Sequence, residues 1–218
     1  MQSSSIAADA PGSLPHSPAA APSSHFHAAK INLPRFGMFT FLASEAMLFA
    51  GLICAYLVLR SSLGHNYRPE EAPMLPWKLT GINTIILLSS SFTCWLAERQ
   101  VVRNIRPTLW LFATATLGAI FVSIQGVEWT NLYHEHMWFN KAGEGMPNGH
   151  VYSSVFFTLT GFHGAHVAIG VIMLFFCTAF SFFGKFSAHH HTLLECTSLY
   201  WHFVDVVWVI LFFILYIV

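Results

Sequence analysis

The sequence predicts an all-α, polytopic membrane protein: five transmembrane helices behind a disordered N-terminal tail. Three observations carry that prediction. Of the 218 residues 55% are hydrophobic and only 9% are charged, whereas soluble domains carry about 25% charged residues. Mean hydropathy is +0.55, and the apolar residues fall into five long runs, each near the roughly 20 residues that cross a bilayer core as a helix. Phenylalanine, at 21 residues, supplies most of the aromatic content, which suits lipid-facing and interhelical packing. Helix is the required form, because an isolated strand leaves its backbone groups unpaired in lipid. Acidic and basic residues balance at ten each, so nothing in the charge points to a nucleic-acid partner.

Residues 1–30 are rich in Ser, Ala, Pro and His and bury too little apolar surface to fold. They lack the basic start and apolar middle of a secretory signal. His16, His25 and His27 are read as part of a solvated tail. Residues 31–218 form the five-helix domain, with helices expected at 36–59, 77–97, 108–127, 151–176 and 197–218. Pro34 and Pro107 stand just ahead of two of these starts, where a missing N–H does no harm. The connections are a proline-containing loop over 65–76, a basic loop over 98–106 and a long loop over 131–150 broken by Gly143, Gly145, Pro147 and Gly149. A last loop over 184–195 holds Lys185. Five crossings put Lys30, Arg35, Arg99, Arg103, Arg106 and Lys185 on one side and Arg60, Arg68, Lys78 and Lys141 on the other. The positive-inside rule then places the N-terminus in the cytoplasm and the C-terminus outside. Cys54, Cys94, Cys177 and Cys196 form no CxxC pair and are read as small buried apolar groups.

Polar residues inside the runs are the candidates for function. Glu45 lies well within the first run, where a charge costs roughly 2.5–3.5 kcal/mol at mid-bilayer. Ala43, Ala46 and Ala50 line one side of the same helix and invite a close neighbour. The fourth run carries His163 and His166 one turn apart, beside a stripe of Gly161, Ala165 and Ala168. A haem held by two histidines needs them facing from different helices, so hydrogen bonding to Glu45 or to lipid phosphate is the better reading, with His163 the expected partner of Glu45. The fifth run sets His202 and Asp205 at i, i+3, close enough to hydrogen-bond on one helix face, with Trp201, Asp205 and Trp208 on a neighbouring stripe. Glu128, at the end of the third run beside Trp129, is expected at a solvated interface. Asn83, Thr84, Ser89, Ser90 and Ser91 offer interhelical hydrogen bonds. His134, His136 and His150 are expected on a loop surface. No nucleotide loop, catalytic triad, haem-attachment CxxCH or thiolate site is present in the sequence.

Several stretches together resemble subunit III of the haem–copper cytochrome c oxidases. They are Arg35-Phe36-Gly37-Met38 and Ser44-Glu45 in the first helix, Ile82-Asn83-Thr84 in the second, Gln125 to Glu128 in the third, Thr160-Gly161-Phe162-His163-Gly164-Ala165-His166-Val167 in the fourth, and 200–208 in the fifth. The resemblance covers about residues 34–215 in order and spacing. It implies an accessory subunit of a bacterial aerobic terminal oxidase in the plasma membrane, with no catalytic residue, metal or redox cofactor of its own. Haem and copper would sit in subunits I and II. This chain would pack mainly on subunit I, bind structural phospholipid in a cleft and support proton uptake, with cytochrome c as the complex's electron donor. Glu45 matches the family carboxylate at which hydrophobic carbodiimides react. His163, His166, Trp201, His202 and Asp205 match motif positions assigned to intramembrane polar contacts and the lipid cleft. Many members have seven helices, and this chain matches the last five. Five-helix forms occur, also among quinol oxidases, where extra helices on the catalytic subunit fill the gap. An arginine that some relatives place near the end of the penultimate helix has no counterpart; Lys185 is the nearest cation. Alternatives are subunit III of a quinol oxidase, whose members often carry aspartate at the position of Glu45, and an accessory subunit of a nitric oxide reductase. From another class, a small proton channel built on Glu45 is the third alternative.

Overall fold

A computed structural model describes residues 33–64, 77–103, 105–134, 149–184 and 191–217. Five helices run in chain order: α1 (Leu33–Leu63), α2 (Trp77–Val102), α3 (Thr108–His134), α4 (Gly149–Phe182) and α5 (His191–Phe212), the last ending in a π-helical turn, Phe213–Ile217. All five are long and apolar enough to cross a membrane. No strand occurs among the described residues. The tail 1–30 and most of the loops at 65–76, 131–150 and 184–195 lie outside them.

The helices begin where the sequence places them for α2 and α3, and most run on past the expected ends. The stretch expected as a basic loop at 98–106 shows why. Glu98 and Arg99 belong to α2, and the Arg99 guanidinium lies 3.6 Å from the Trp95 ring centroid. A cation stacked on an aromatic one turn back is anchored without leaving the helix. Hydrophobicity marks only the lipid-spanning part of a helix, so polar last turns are missed. Gly64 and Gly184, at φ of 52° and 66°, follow the last turns of α1 and α4 in the left-handed conformation that closes a helix without a Cβ penalty.

Helices α2, α3, α4 and α5 close into a four-helix bundle, each packed on two neighbours, and α1 lies outside it against α5 and α4. Successive helices are antiparallel, as the pairs Thr80–Glu128, Asn83–Phe121 and Thr93–Thr114 show between α2 and α3. Hydroxyls facing outward bond to their own helix carbonyls, for example Thr116 to Phe112 and Ser123 to Ala119. In lipid that is the partner always within reach.

The bundle centres on Trp201 and Trp208 of α5, both fully buried. Trp201 fits because Gly118 of α3 and Gly170 of α4 lack a side chain; a Cβ on either would sit 2.5 Å and 2.8 Å from the indole. The expected small-residue contacts fall elsewhere. Gly161 receives the Trp129 ring at a looser 3.7 Å, while Ala165, like Ala43, Ala46 and Ala50, stays exposed on this chain. Small residues at helical spacing identify a face that can be approached, and a tryptophan decides which such face is filled.

Gly118→Ala and Gly170→Ala are expected to destabilise the protein by about 1–3 kcal/mol through overpacking. Gly126→Ala, on an open helical face, should be neutral or slightly stabilising. Thermal unfolding of the purified complex separates the three.

Candidate functional site

The intramembrane polar groups gather at three places. The first is on the α1–α4 face. His166 Nδ1 lies 2.6 Å from the Phe162 carbonyl oxygen one turn back, and its Nε2 lies 3.0 Å from Glu45 Oε2. A carbonyl only accepts, so Nδ1 carries a proton. Glu45 and His166 are thereby hydrogen-bond partners across α1 and α4. The same turn is fixed by Tyr200, whose hydroxyl donates to the His166 carbonyl at 3.0 Å, and by the Phe49 ring, edge-on to the imidazole at 5.1 Å.

This corrects the expected pairing of Glu45 with His163. His163 faces the bundle interior, stacked on the Trp208 indole at 4.8 Å with an interplanar angle of 25° and met edge-on by Phe121 at 6.2 Å. Positions three apart on a helix differ by about 60° in direction, using 3.6 residues per turn. Here that rotation separates an edge-facing histidine from a core histidine.

The second place joins α2 to α5. Ser91 Oγ lies 3.0 Å from His202 Nδ1 and donates a short hydrogen bond to Asp205 Oδ2. The expected direct His202–Asp205 bond is therefore replaced by a hydroxyl bridge from the neighbouring helix. One turn away, Trp201 Nε1 donates to Ser90 Oγ at 3.0 Å. Two adjacent serines thus anchor Trp201, His202 and Asp205, which the sequence singled out together. Trp201, His163 and Asp205 are 0%, 1% and 3% exposed, enclosed by this chain's own helices. Glu45, His166 and His202 are only partly buried on this chain.

The third place is Glu128, which the sequence assigned to solvent. It is 1% exposed. Tyr216 donates to its Oε1 at 2.7 Å, and Thr80 Oγ1 donates to the carboxyl at 3.2 Å and 3.3 Å. These partners stand 48 and 88 positions away, so no local spacing announces them. The π-helical turn at 213–217 carries Tyr216 to the site. At the opposite end, Arg35 Nε donates to Glu195 Oε2 at 2.6 Å and ties α1 to α5. That pair is also invisible to a local reading. Among the described residues no three His, Cys, Asp or Glu side chains are grouped so as to hold a metal ion.

A bundle of membrane-spanning helices whose buried polar groups serve one another across helix seams defines a polytopic membrane subunit. Comparison with known proteins gives the family. The model of "Cytochrome c oxidase subunit III" matches residues 19–218. The chain is 37% identical over 195 residues to cytochrome c oxidase subunit 3 of Synechocystis sp., covering 88% of this chain and 78% of that one. It is 38% identical over 191 residues to the probable cytochrome c oxidase subunit 3 of Nocardia farcinica, covering 86% and 89%. It is 34% identical over 189 residues to the subunit 3 of Marchantia polymorpha, covering 84% and 67%. The chain belongs to the cytochrome c oxidase subunit III family. It is a subunit III of a haem–copper oxidase, a multi-pass membrane component of an oxidoreductase complex, and the quinol-oxidase and nitric oxide reductase readings are not favoured.

Ser91→Ala leaves Asp205 and His202 without their shared partner and should cost about 1–3 kcal/mol, read as a lower melting temperature. Glu128→Leu removes the acceptor of Tyr216 and should cost a similar amount. Glu128→Gln, which keeps an acceptor carbonyl, should recover most of that loss in the same measurement.

Proposed function

We propose that this chain is a non-catalytic subunit that holds no redox centre, stabilises subunit I and keeps proton uptake working in a cytochrome c oxidase of a bacterial plasma membrane. The observation that carries this reading is how the polar groups are used. Asp205, Glu128, Ser90 and Ser91 bond other helices of the same chain, and such closed interhelical contacts build a scaffold rather than a reaction site. Electron transfer and oxygen chemistry then belong to subunits I and II, with cytochrome c as donor.

Glu45 is the exception that supports a role at a boundary. Its carboxyl and the His166 ring are 17% and 14% exposed at their side chains, on a helix where only Phe49 and Tyr56 are buried. A phospholipid between α1, α4 and the neighbouring subunit fits that face, where the Glu45 carboxyl and the His166 imidazole present hydrogen-bonding groups. The charge distribution of the sequence supports a cytoplasmic N-terminus and a periplasmic C-terminus.

Two measurements test the reading. Deleting the chain should leave the haem spectrum of the remaining complex intact while turnover decays during sustained catalysis; a haem signal from this polypeptide alone refutes it. Glu45→Gln should assemble normally and abolish labelling of this chain by a hydrophobic carbodiimide. Persistent labelling of the variant refutes the assignment of Glu45.

A further inference from the structure

Inside the bundle three buried side chains from three helices each carry a polar atom without a hydrogen-bond partner. Asn83 of α2 donates through Nδ2 to the Phe121 carbonyl at 3.2 Å, yet its Oδ1 has no partner. Gln125 of α3, one turn beyond Phe121, is 4% exposed and has neither amide atom bonded. His163 of α4 is 1% exposed, meets the same Phe121 edge-on, and has both ring nitrogens unbonded. The fourth wall is Trp208 of α5, stacked on His163, whose Nε1 is already committed to Thr84 Oγ1 at 2.9 Å. Phe121 is common to the contacts of Asn83 and His163, and Gln125 follows it on the same helix. Contacts on either side, Thr80–Glu128 and Thr93–Thr114, keep α2 and α3 in that register.

Buried polar groups are almost always hydrogen-bonded to protein or to ordered water. Leaving several orphaned costs more than immobilising a bridging molecule. The chemistry of the orphans selects that molecule. Asn83 offers an acceptor, Gln125 one acceptor and an NH2 donor, and a neutral imidazole one donor and one acceptor. A cation would face the amide and imidazole N–H groups, and an anion would face the carbonyl oxygens. Only a small neutral ligand that both donates and accepts satisfies the set.

We propose that Asn83, Gln125 and His163 form a binding site for ordered water at the centre of the α2–α5 bundle. The water links α2, α3 and α4 and satisfies buried polar atoms that no side chain reaches. This site is separate from the Glu45–His166 pair. It does not depend on the function proposed above.

A structure of the purified oxidase complex at a resolution that shows water tests it directly. Ordered density within hydrogen-bond distance of at least two of the three side chains is the expected result. A site without density, in which the Gln125 amide bonds directly to Asn83 or His163, overturns the proposal. A second test reads stability. Gln125→Met should remove the density and lower the melting temperature by several degrees. Combining it with Asn83→Leu and His163→Phe, which leave no orphan behind, should restore at least half of that loss. Unchanged stability of Gln125→Met, or additive losses in the triple variant, overturns the proposal as well.

Discussion

A hydrophobic environment supplies no hydrogen-bond partners, and that constraint organises this molecule more than the hydrophobic effect does. Between helices in lipid, apolar side chains gain little by leaving acyl chains that are as apolar as themselves. Association then depends on close packing and on polar groups that have nowhere else to go. The surroundings of α5 show both. Trp201 packs where Gly118 and Gly170 leave room, and its indole N–H is taken by Ser90. Trp208 repeats the arrangement two turns on, with Thr84 as acceptor. Each tryptophan thus contributes a large contact area and one directional bond, and together they set both the distance and the register of the helices around α5.

The same constraint explains which parts of the structure were legible in the sequence. The five helices were, because a run of apolar residues long enough to span a bilayer has only one stable backbone form. Their ends were not, because Glu98, Arg99 and Tyr133 are polar or amphipathic residues that a hydropathy reading assigns to loops although the helix carries them. That the face carrying Trp201 and Asp205 is enclosed by protein was legible from the cost of an ionisable group in lipid. The partner of His202 and Asp205 was not, since Ser91 lies 111 and 114 positions away and looked like ordinary intramembrane glue. Glu128 was misread for a related reason. A carboxyl near a helix end beside a tryptophan matches an interfacial pattern, and only the tertiary structure brings Thr80 and Tyr216 to it.

His163 and His166 make the point within a single turn. Both were candidates for Glu45, and spacing alone cannot choose between them. The structure chooses by what surrounds each: the rings of Phe49, Phe121 and Trp208 beside His163, a carbonyl and a carboxyl at the two nitrogens of His166. A histidine bonded at both nitrogens is fixed in orientation, whereas one held by stacking alone leaves its nitrogens open to a further partner. The two residues of one motif therefore belong to different physical systems.

The position of α1 connects these packing arguments to assembly. The other four helices pack on one another, but α1 buries only Phe49 and Tyr56 and is held by Arg35–Glu195, by Glu45–His166 and by Tyr56, which donates to the Ile214 carbonyl while accepting from Arg60. An exposed ion pair such as the first contributes little by itself, about 0–1 kcal/mol. Helix α1 leaves Gly37 and Gly51 open and Ala43, Ala46 and Ala50 exposed on this chain. It is also the helix that carries Glu45. The bond of that residue to His166 ties the middle of α1 to α4, so the least buried of the five helices is fastened there by a carboxyl.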